Sequence, residues 1–245
     1  MCYLCRTNIS RRSAVPYKHI FFDLDHTLWD FEENSRETLE ELYGEFMLRE
    51  RGVPDFRVFH QTYVQHNERM WERFRKGYIN REDLRWKRVW HTLLAFKIGD
   101  EKLVHAFSDR YLEILPTKKH LFSDTGDLLD YLREKRYPMH LITNGFEHTQ
   151  HLKLRHSGID TYFTHVVTSE LAGSLKPRRE IFDYALKRAG CSAADALMVG
   201  DALEVDILGA QNAGIDQAYF NPAIPPKGIT PTYTLATLSD LKKIL

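Results

Sequence analysis

Apolar and polar positions alternate along this chain in two different rhythms. Residues 19–24, HIFFDL, form one short apolar run of strand length. From about residue 33 to 114 the rhythm is helical. Leu39, Leu42 and Phe46, and later Leu84, Val89 and Leu93, recur at intervals of three to five. Breaks at Gly52-Val53-Pro54, Gly77-Tyr78 and Gly99-Asp100 divide this block, and Pro116 closes it. Strand-length runs then return, each followed by an amphipathic segment. MHLIT (139–143) precedes a helix reaching about 157, and HVVTS (165–169) precedes 178–190. ALMVG (196–200) precedes 203–214, and DQAYF (216–220) follows. Apolar strands alternating with helices predict parallel βαβ units. The expected fold is therefore α/β, a Rossmann-like parallel sheet sandwiched by helices, with an all-helical cap inserted after the first strand. The expected boundaries are a tail at 1–17, a core at 18–30 and 116–245, and the cap at 31–115.

Composition narrows the class. At 245 residues and 43% hydrophobic, the chain is long enough to bury a substantial core. Lys plus Arg and Asp plus Glu are equal at 34 each, so no broad electrostatic footprint for a nucleic acid polymer or an anionic membrane is expected. No run approaches the ~18 apolar residues of a membrane span. The N-terminal stretch is polar and lacks the apolar centre of a secretory signal. Cys2 and Cys5 have metal-knuckle spacing without a second pair, and Cys191 stands alone. Three scattered cysteines fit a reducing, cytoplasmic setting.

In open α/β sheets ligands bind beyond the carboxyl ends of the strands. Polar chemistry collects there in this chain. The first strand ends in Asp23-Leu24-Asp25-His26-Thr27, and MHLIT ends in Thr143-Asn144-Gly145. Gly173-Ser174-Leu175-Lys176-Pro177 follows HVVTS, and ALMV ends in Gly200-Asp201 with Asp206 five residues on. Each piece alone is common. Four in order, each after a strand, bring acids, a hydroxyl and an amine to one edge.

With these four motifs, DLDHT, TN, KP and GDALEVD, the chain resembles the haloacid dehalogenase superfamily, mostly phosphatases, over residues 19 to 221. The helical insertion matches the family's cap. The longer strings FFDLDHTLWDF, LITNGF, SLKP and DILGAQNAGI resemble the branch of bacterial pyrimidine 5′-nucleotidases and phosphoglycolate phosphatase-like enzymes.

The resemblance implies a phosphomonoesterase working through an aspartyl phosphate, with Asp23 as nucleophile. It implies Mg2+, with Mn2+ as substitute, held by Asp23, the backbone carbonyl of Asp25, and Asp201; Asp206 is a further ligand or an outer acceptor. Asp25 would protonate the leaving oxygen and then deprotonate the attacking water. Lys176 would supply positive charge, and Thr143 and the backbone of Asn144 would donate to the phosphoryl group. The implied partner is a small phosphorylated metabolite, with nucleoside 5′-monophosphates as one class, and the implied assembly is a monomer or homodimer. Alternatives on the same scaffold are a metal-independent 2-haloacid dehalogenase, a sugar phosphomutase and a non-catalytic phosphometabolite-binding module. Asp25 and the acidic last motif weigh against the dehalogenase.

Several signals have plainer readings. His148 and His151 follow helical spacing, and an exposed helix face is expected for them, because Mg2+ prefers oxygen. Trp71, Trp86 and Trp90 read as cap core, with stacking on a substrate as the alternative. Glu68, Arg69 and Arg85 are cap candidates for substrate contact. His26 stands where many family members have Gly, and His is among the residues that tolerate left-handed backbone angles. Ala202 and Val205 replace polar residues frequent in the last motif.

Overall fold

The computed structural model describes residues 17–221, 224 and 227–245. Cys2, Cys5 and most of the expected tail lie outside the described residues. Tyr17 does not behave as tail. Its hydroxyl donates to Asp216 Oδ2 at 2.7 Å and lies 3.2 Å from Tyr233 Oη, which ties it to the sheet.

Strand β1 (His19–Phe22) is followed by four helices: α1 (Phe31–Glu45), α2 (Phe56–Arg75), α3 (Arg81–Ala95) and α4 (Glu101–Ile114). Each starts on a side-chain cap that accepts a backbone N–H in the first turn: Asp30, Asp55, Asn80 and Asp100. Then come α5 (Thr125–Glu134), β2 (Met139–Thr143), α6 (Glu147–His156), β3 (Phe163–Thr168), the single turn α7 (Ser169–Ala172) and α8 (Arg179–Ala189). Strand β4 (Ala196–Gly200), α9 (Leu208–Asn212), β5 (Asp216–Phe220) and β6 (Tyr233–Leu235) complete the order.

The six strands are parallel in the order β3-β2-β1-β4-β5-β6. Alternate side chains of β1 enter different cores. Ile20 and Phe22 join Leu128, Leu129 and Leu132 of α5, while Phe21 joins Ile181, Phe182 and Ala210 of α8 and α9. Strand order reverses between β1 and β4, so the crevice at the ends of these two strands is the place where such a sheet binds ligands. Phe22 pairs with Val199, so Asp23 leaves the sheet level with Gly200, next to Asp201.

One element departs from the sequence pattern. The segment expected as one helix over 203–214 opens as a wide π-type turn, Leu203–Ile207, in which Ile207 N–H reaches Ala202 O at 3.3 Å, before α9 begins. Helix α8, Arg179–Ala189, lies within one residue of the segment expected over 178–190. Among the described residues no helix is long and apolar enough to cross a membrane.

Candidate active site

The turn after β1 closes on Leu24 O, which accepts N–H groups of Leu28 and Trp29 at 3.0 and 2.9 Å. His26 takes the left-handed conformation this turn requires, at φ 66°, and its ring rests on Phe31 at 4.9 Å. The turn thus survives without glycine, as the tolerance of His for these angles allows. Asp23 N–H remains tied to the sheet through Val199 O at 2.9 Å. Its carboxylate, almost fully buried, points into the crevice.

Lys176 meets it there. Its Nζ lies 2.5 Å from Asp23 Oδ1 and 2.6 Å from Asp206 Oδ1, with only 2% of the side chain exposed. Asn144 sets the lysine loop in place. Its Oδ1 accepts Lys176 N–H at 2.8 Å and its Nδ2 donates to Lys176 O at 3.0 Å. The Asn144 side chain is therefore engaged within the protein, and only its backbone is left for a ligand. Asp206 Oδ2 accepts the N–H of Ala202 at 3.1 Å, a backbone bond where a polar side chain at 202 is common in the resemblance. Gly200 leaves the room for it: a Cβ there would sit 2.6 Å from Asp206 atoms. Thr27 Oγ1 donates to Asp201 Oδ1 at 3.3 Å.

Oxygen atoms of Asp23, Asp201 and Asp206 lie within 4.8 Å of one another. Three carboxylates face one ammonium here, and the two negative charges left over match one divalent cation. Burial, opposed by Lys176 and helped by Asp206, pushes the Asp23 carboxyl up to about 7. Burial, with Asp206 and Asp23 beside it, pushes Asp201 up to about 8. An all-oxygen set with surplus charge fits a hard cation such as Mg2+. For Lys176, burial alone would lower the proton affinity, but Asp206 and Asp23 outweigh it and hold the ammonium well above its ordinary value.

Thr143, at the end of β2, accepts two hydrogen bonds at Oγ1: from Gly145 N–H at 3.1 Å and from Gln150 Nε2 at 2.6 Å. Its own proton is left to donate. Asp25 borders the same crevice but is held by a different pair of donors. Its Oδ1 lies 2.6 Å from Lys153 Nζ and its Oδ2 accepts from Gln150 Nε2 at 3.0 Å.

A family model described as haloacid dehalogenase-like hydrolase matches residues 17–214. The chain belongs to this haloacid dehalogenase-like hydrolase family. Pyrimidine 5′-nucleotidase PynA of Streptococcus pneumoniae is 34% identical over 228 residues, 92% of this chain and 93% of its own. Pyrimidine 5′-nucleotidase YjjG of Escherichia coli is 34% identical over 234 residues, 94% of this chain and 99% of its own. Among solved structures, the magnesium-bound HAD-hydrolase YfnB of Bacillus subtilis, whose crystal form is described as revealing interdomain movement, aligns with a TM-score of 0.84 at 29% identity. That alignment covers 93% of this chain and 98% of that one.

In this haloacid dehalogenase-like hydrolase the acids border a cavity of about 250 Å³. Its far wall comes from α2, through Asn67, Glu68, Trp71 and Arg75. Of the three cap residues singled out from sequence, only Glu68 lies here. Arg69 lines a separate groove with Trp86 and Trp90, and Arg85 pairs with Asp109 at 3.3 Å. Trp71 packs against an apolar cluster of the insertion, Met70, Ile79 and Leu84, and also borders the cavity. It stacks on Phe146, ring centres 6.1 Å apart, beside the cavity. His148 and His151 are exposed, as expected. Sequence reasoning missed Gln150, Lys153, Arg75 and Phe146. A signal for the first two was present: a glutamine and a lysine stand at core-facing positions of α6, in phase with buried Leu154.

Proposed function

We propose that this hydrolase cleaves small phosphoric monoesters through an aspartyl-phosphate intermediate, with nucleoside 5′-monophosphates as the substrate class. The reading is carried by one observation: Asp23, at the open end of β1, faces Lys176 and the acid pair Asp201/Asp206 across a crevice. Asp23 attacks phosphorus, the bond to the leaving oxygen breaks, and the Asp25 carboxyl gives that oxygen its proton. Water then attacks the same phosphorus. Asp25 takes a proton from it, the bond to Asp23 breaks, and inorganic phosphate departs. Lys176 offsets the charge of Asp23 and the phosphoryl group, while the Thr143 hydroxyl and the backbone of Asn144 donate to phosphoryl oxygens. Asp23, Asp201, Asp206 and the backbone carbonyl of Asp25 would hold Mg2+, for which Mn2+ would substitute. When bound, the cation neutralises anionic oxygens around phosphorus.

Residues 31–115 act as a cap over the core at 18–30 and 116–245. Trp71 offers a flat apolar face for a base, and Arg75, whose proton affinity burial lowers, offers a cation at the far wall. The names of the two pyrimidine 5′-nucleotidases support a nucleotide. A glyceraldehyde 3-phosphate phosphatase of Methanothermobacter thermautotrophicus, 29% identical over 238 residues, supports sugar phosphates as a second substrate class.

The test is phosphate release from nucleoside 5′-monophosphates, sugar phosphates and phosphoglycolate, with Mg2+, Mn2+ or EDTA. Pyrimidine nucleotides should lead, EDTA should abolish turnover, and Asp23→Asn should lose ~10⁴-fold or more. Wild-type-like turnover in Asp23→Asn would sink the nucleophile. EDTA-insensitive release would sink the metal, and a lead by sugar phosphates would sink the nucleotide.

A further inference from the structure

A carboxyl that first gives and then takes a proton must hold one position through both steps. Asp25 sits on a turn and its side chain is about one-quarter exposed, so the turn by itself does not fix it. Two donors from a different element do. On α6, Gln150 and Lys153 stand three residues apart and face the same way, and both are buried. Lys153 Nζ contacts Asp25 Oδ1 at 2.6 Å, and Gln150 Nε2 contacts Oδ2 at 3.0 Å, so each oxygen of the carboxylate has its own donor. Each oxygen keeps a further lone pair for the travelling proton.

The surroundings of both donors are specific. Lys153 is 3% exposed and lies against aromatic faces, 4.2 Å from the ring of Trp29 and 5.4 Å from that of Phe31. Among the described residues Asp25 is its one ion-pair partner within 4.0 Å. A buried ammonium is tolerated only when paired, so Asp25 is held to this spot as firmly as the lysine needs it. Gln150 orients itself unambiguously: its amide nitrogen must face the carboxylate. The same nitrogen reaches Thr143 Oγ1 at 2.6 Å, which links Asp25 to a phosphoryl donor through one side chain. A Cβ at Gly145 would collide with the Gln150 amide, so the glycine after Thr143-Asn144 is the vacancy that lets Gln150 lie across the site.

We propose that Lys153 and Gln150 are positioning residues that clamp Asp25 in its proton-transferring place. The proposal rests on the reading of Asp25 as the proton shuttle. That role matters most when the leaving oxygen is strongly basic and least when it leaves readily as an anion. The informative measurement is therefore kcat on uridine 5′-monophosphate beside kcat on p-nitrophenyl phosphate.

General acid–base groups contribute ~10²–10⁴-fold, so Lys153→Met should lose on the order of 10–100-fold more on uridine 5′-monophosphate than on p-nitrophenyl phosphate. Lys153→Arg, which keeps the cation, should recover part of that difference. Asp25→Asn is the reference and should show the same selectivity, and adding Lys153→Met to it should not widen the gap. Equal losses on both substrates in a Lys153→Met protein that melts cooperatively overturn the clamp, provided Asp25→Asn is selective. If Asp25→Asn is itself unselective, the shuttle reading fails instead. Should Lys153→Met not fold, Lys153→Gln carries the same comparison.

Discussion

At the floor of the cavity Lys176 lies 2.5 Å from Asp23, and at the outer rim of the contact between the inserted helices and the core Arg81 of α3 lies 2.5 Å from Glu170 of α7. The distances are equal, yet the two contacts differ in kind. Lys176 is 2% exposed and Asp23 10%, whereas Arg81 is 44% exposed and Glu170 32%. In water the second pair is screened and gains little; in the interior neither member of the first can do without the other. The floor is built by strand ends of one sheet, whose backbone bonds leave the acids nowhere else to go. The roof joins the inserted helices to the core through Arg81, which lies 4.4 Å over the ring of Phe146, and through Trp71 stacked on the same ring. Phe146 comes from the loop after β2 and packs among Met70, Ile79 and Leu84 of the insertion. Buried charge thus lies below and aromatic contacts above.

The contrast breaks first at Lys176. Lys176→Met should cost roughly 3–5 kcal/mol of stability near neutral pH, because Asp23 and Asp206 are left buried without a partner. Chemical denaturation at pH 5 and 8 checks the cause: the loss should shrink at the lower pH, where the acids can take up protons. A small loss at both would mean that the floor is no tighter than the rim.

The next test removes cations from the wild type. Asp23 and Asp201 bind their protons more tightly folded than unfolded, so their contribution is complete below about pH 4. It is lost as pH rises through about 7 and about 8. In EDTA the melting temperature should fall across that window, and saturating Mg2+ should flatten the fall. Curves that coincide with and without Mg2+ would remove the case for cation binding at these acids.

The roof should give smaller and more selective effects. Aromatic stacking on a base is worth ~1–3 kcal/mol, so Trp71→Ala should raise KM for uridine 5′-monophosphate about 5- to 150-fold. KM for glycerol phosphate, which has no base, should move far less; equal shifts would mean that Trp71 only packs. Arg81→Ala should cost no more than ~1 kcal/mol in a thermal melt, and less in high salt. A loss as large as that of Lys176→Met would erase the distinction between floor and rim.

Much of the floor is legible in the sequence. Apolar runs of five residues marked β2, β4 and β5, and parallel strands put all their carboxyl ends at one edge. Asp23, Thr143, Lys176, Asp201 and Asp206 therefore had to meet once the strands were recognised. The roof was not legible in the same way. Trp71, Trp86 and Trp90 look alike in a helical pattern, yet only Trp71 borders the cavity, because the faces of α2 and α3 are assigned by packing between them. Glu68 borders the acidic cavity and its sequence neighbour Arg69 does not, for the same reason. Helix α5 and the three-residue β6 were passed over, the latter because so short a strand carries almost no periodicity.

The sequence by itself determined the α/β class, the place of the helical insertion and the acids at the strand ends. Local periodicity and turn chemistry are enough for those, since each depends on near neighbours along the chain. Only the tertiary structure decided which donors surround each acid. Asp23 and Asp25 are two residues apart, yet one faces Lys176, 153 residues away, and the other faces Lys153, 128 residues away. Pairings over such distances follow from sheet order and helix rotation, which are set by how the whole core packs.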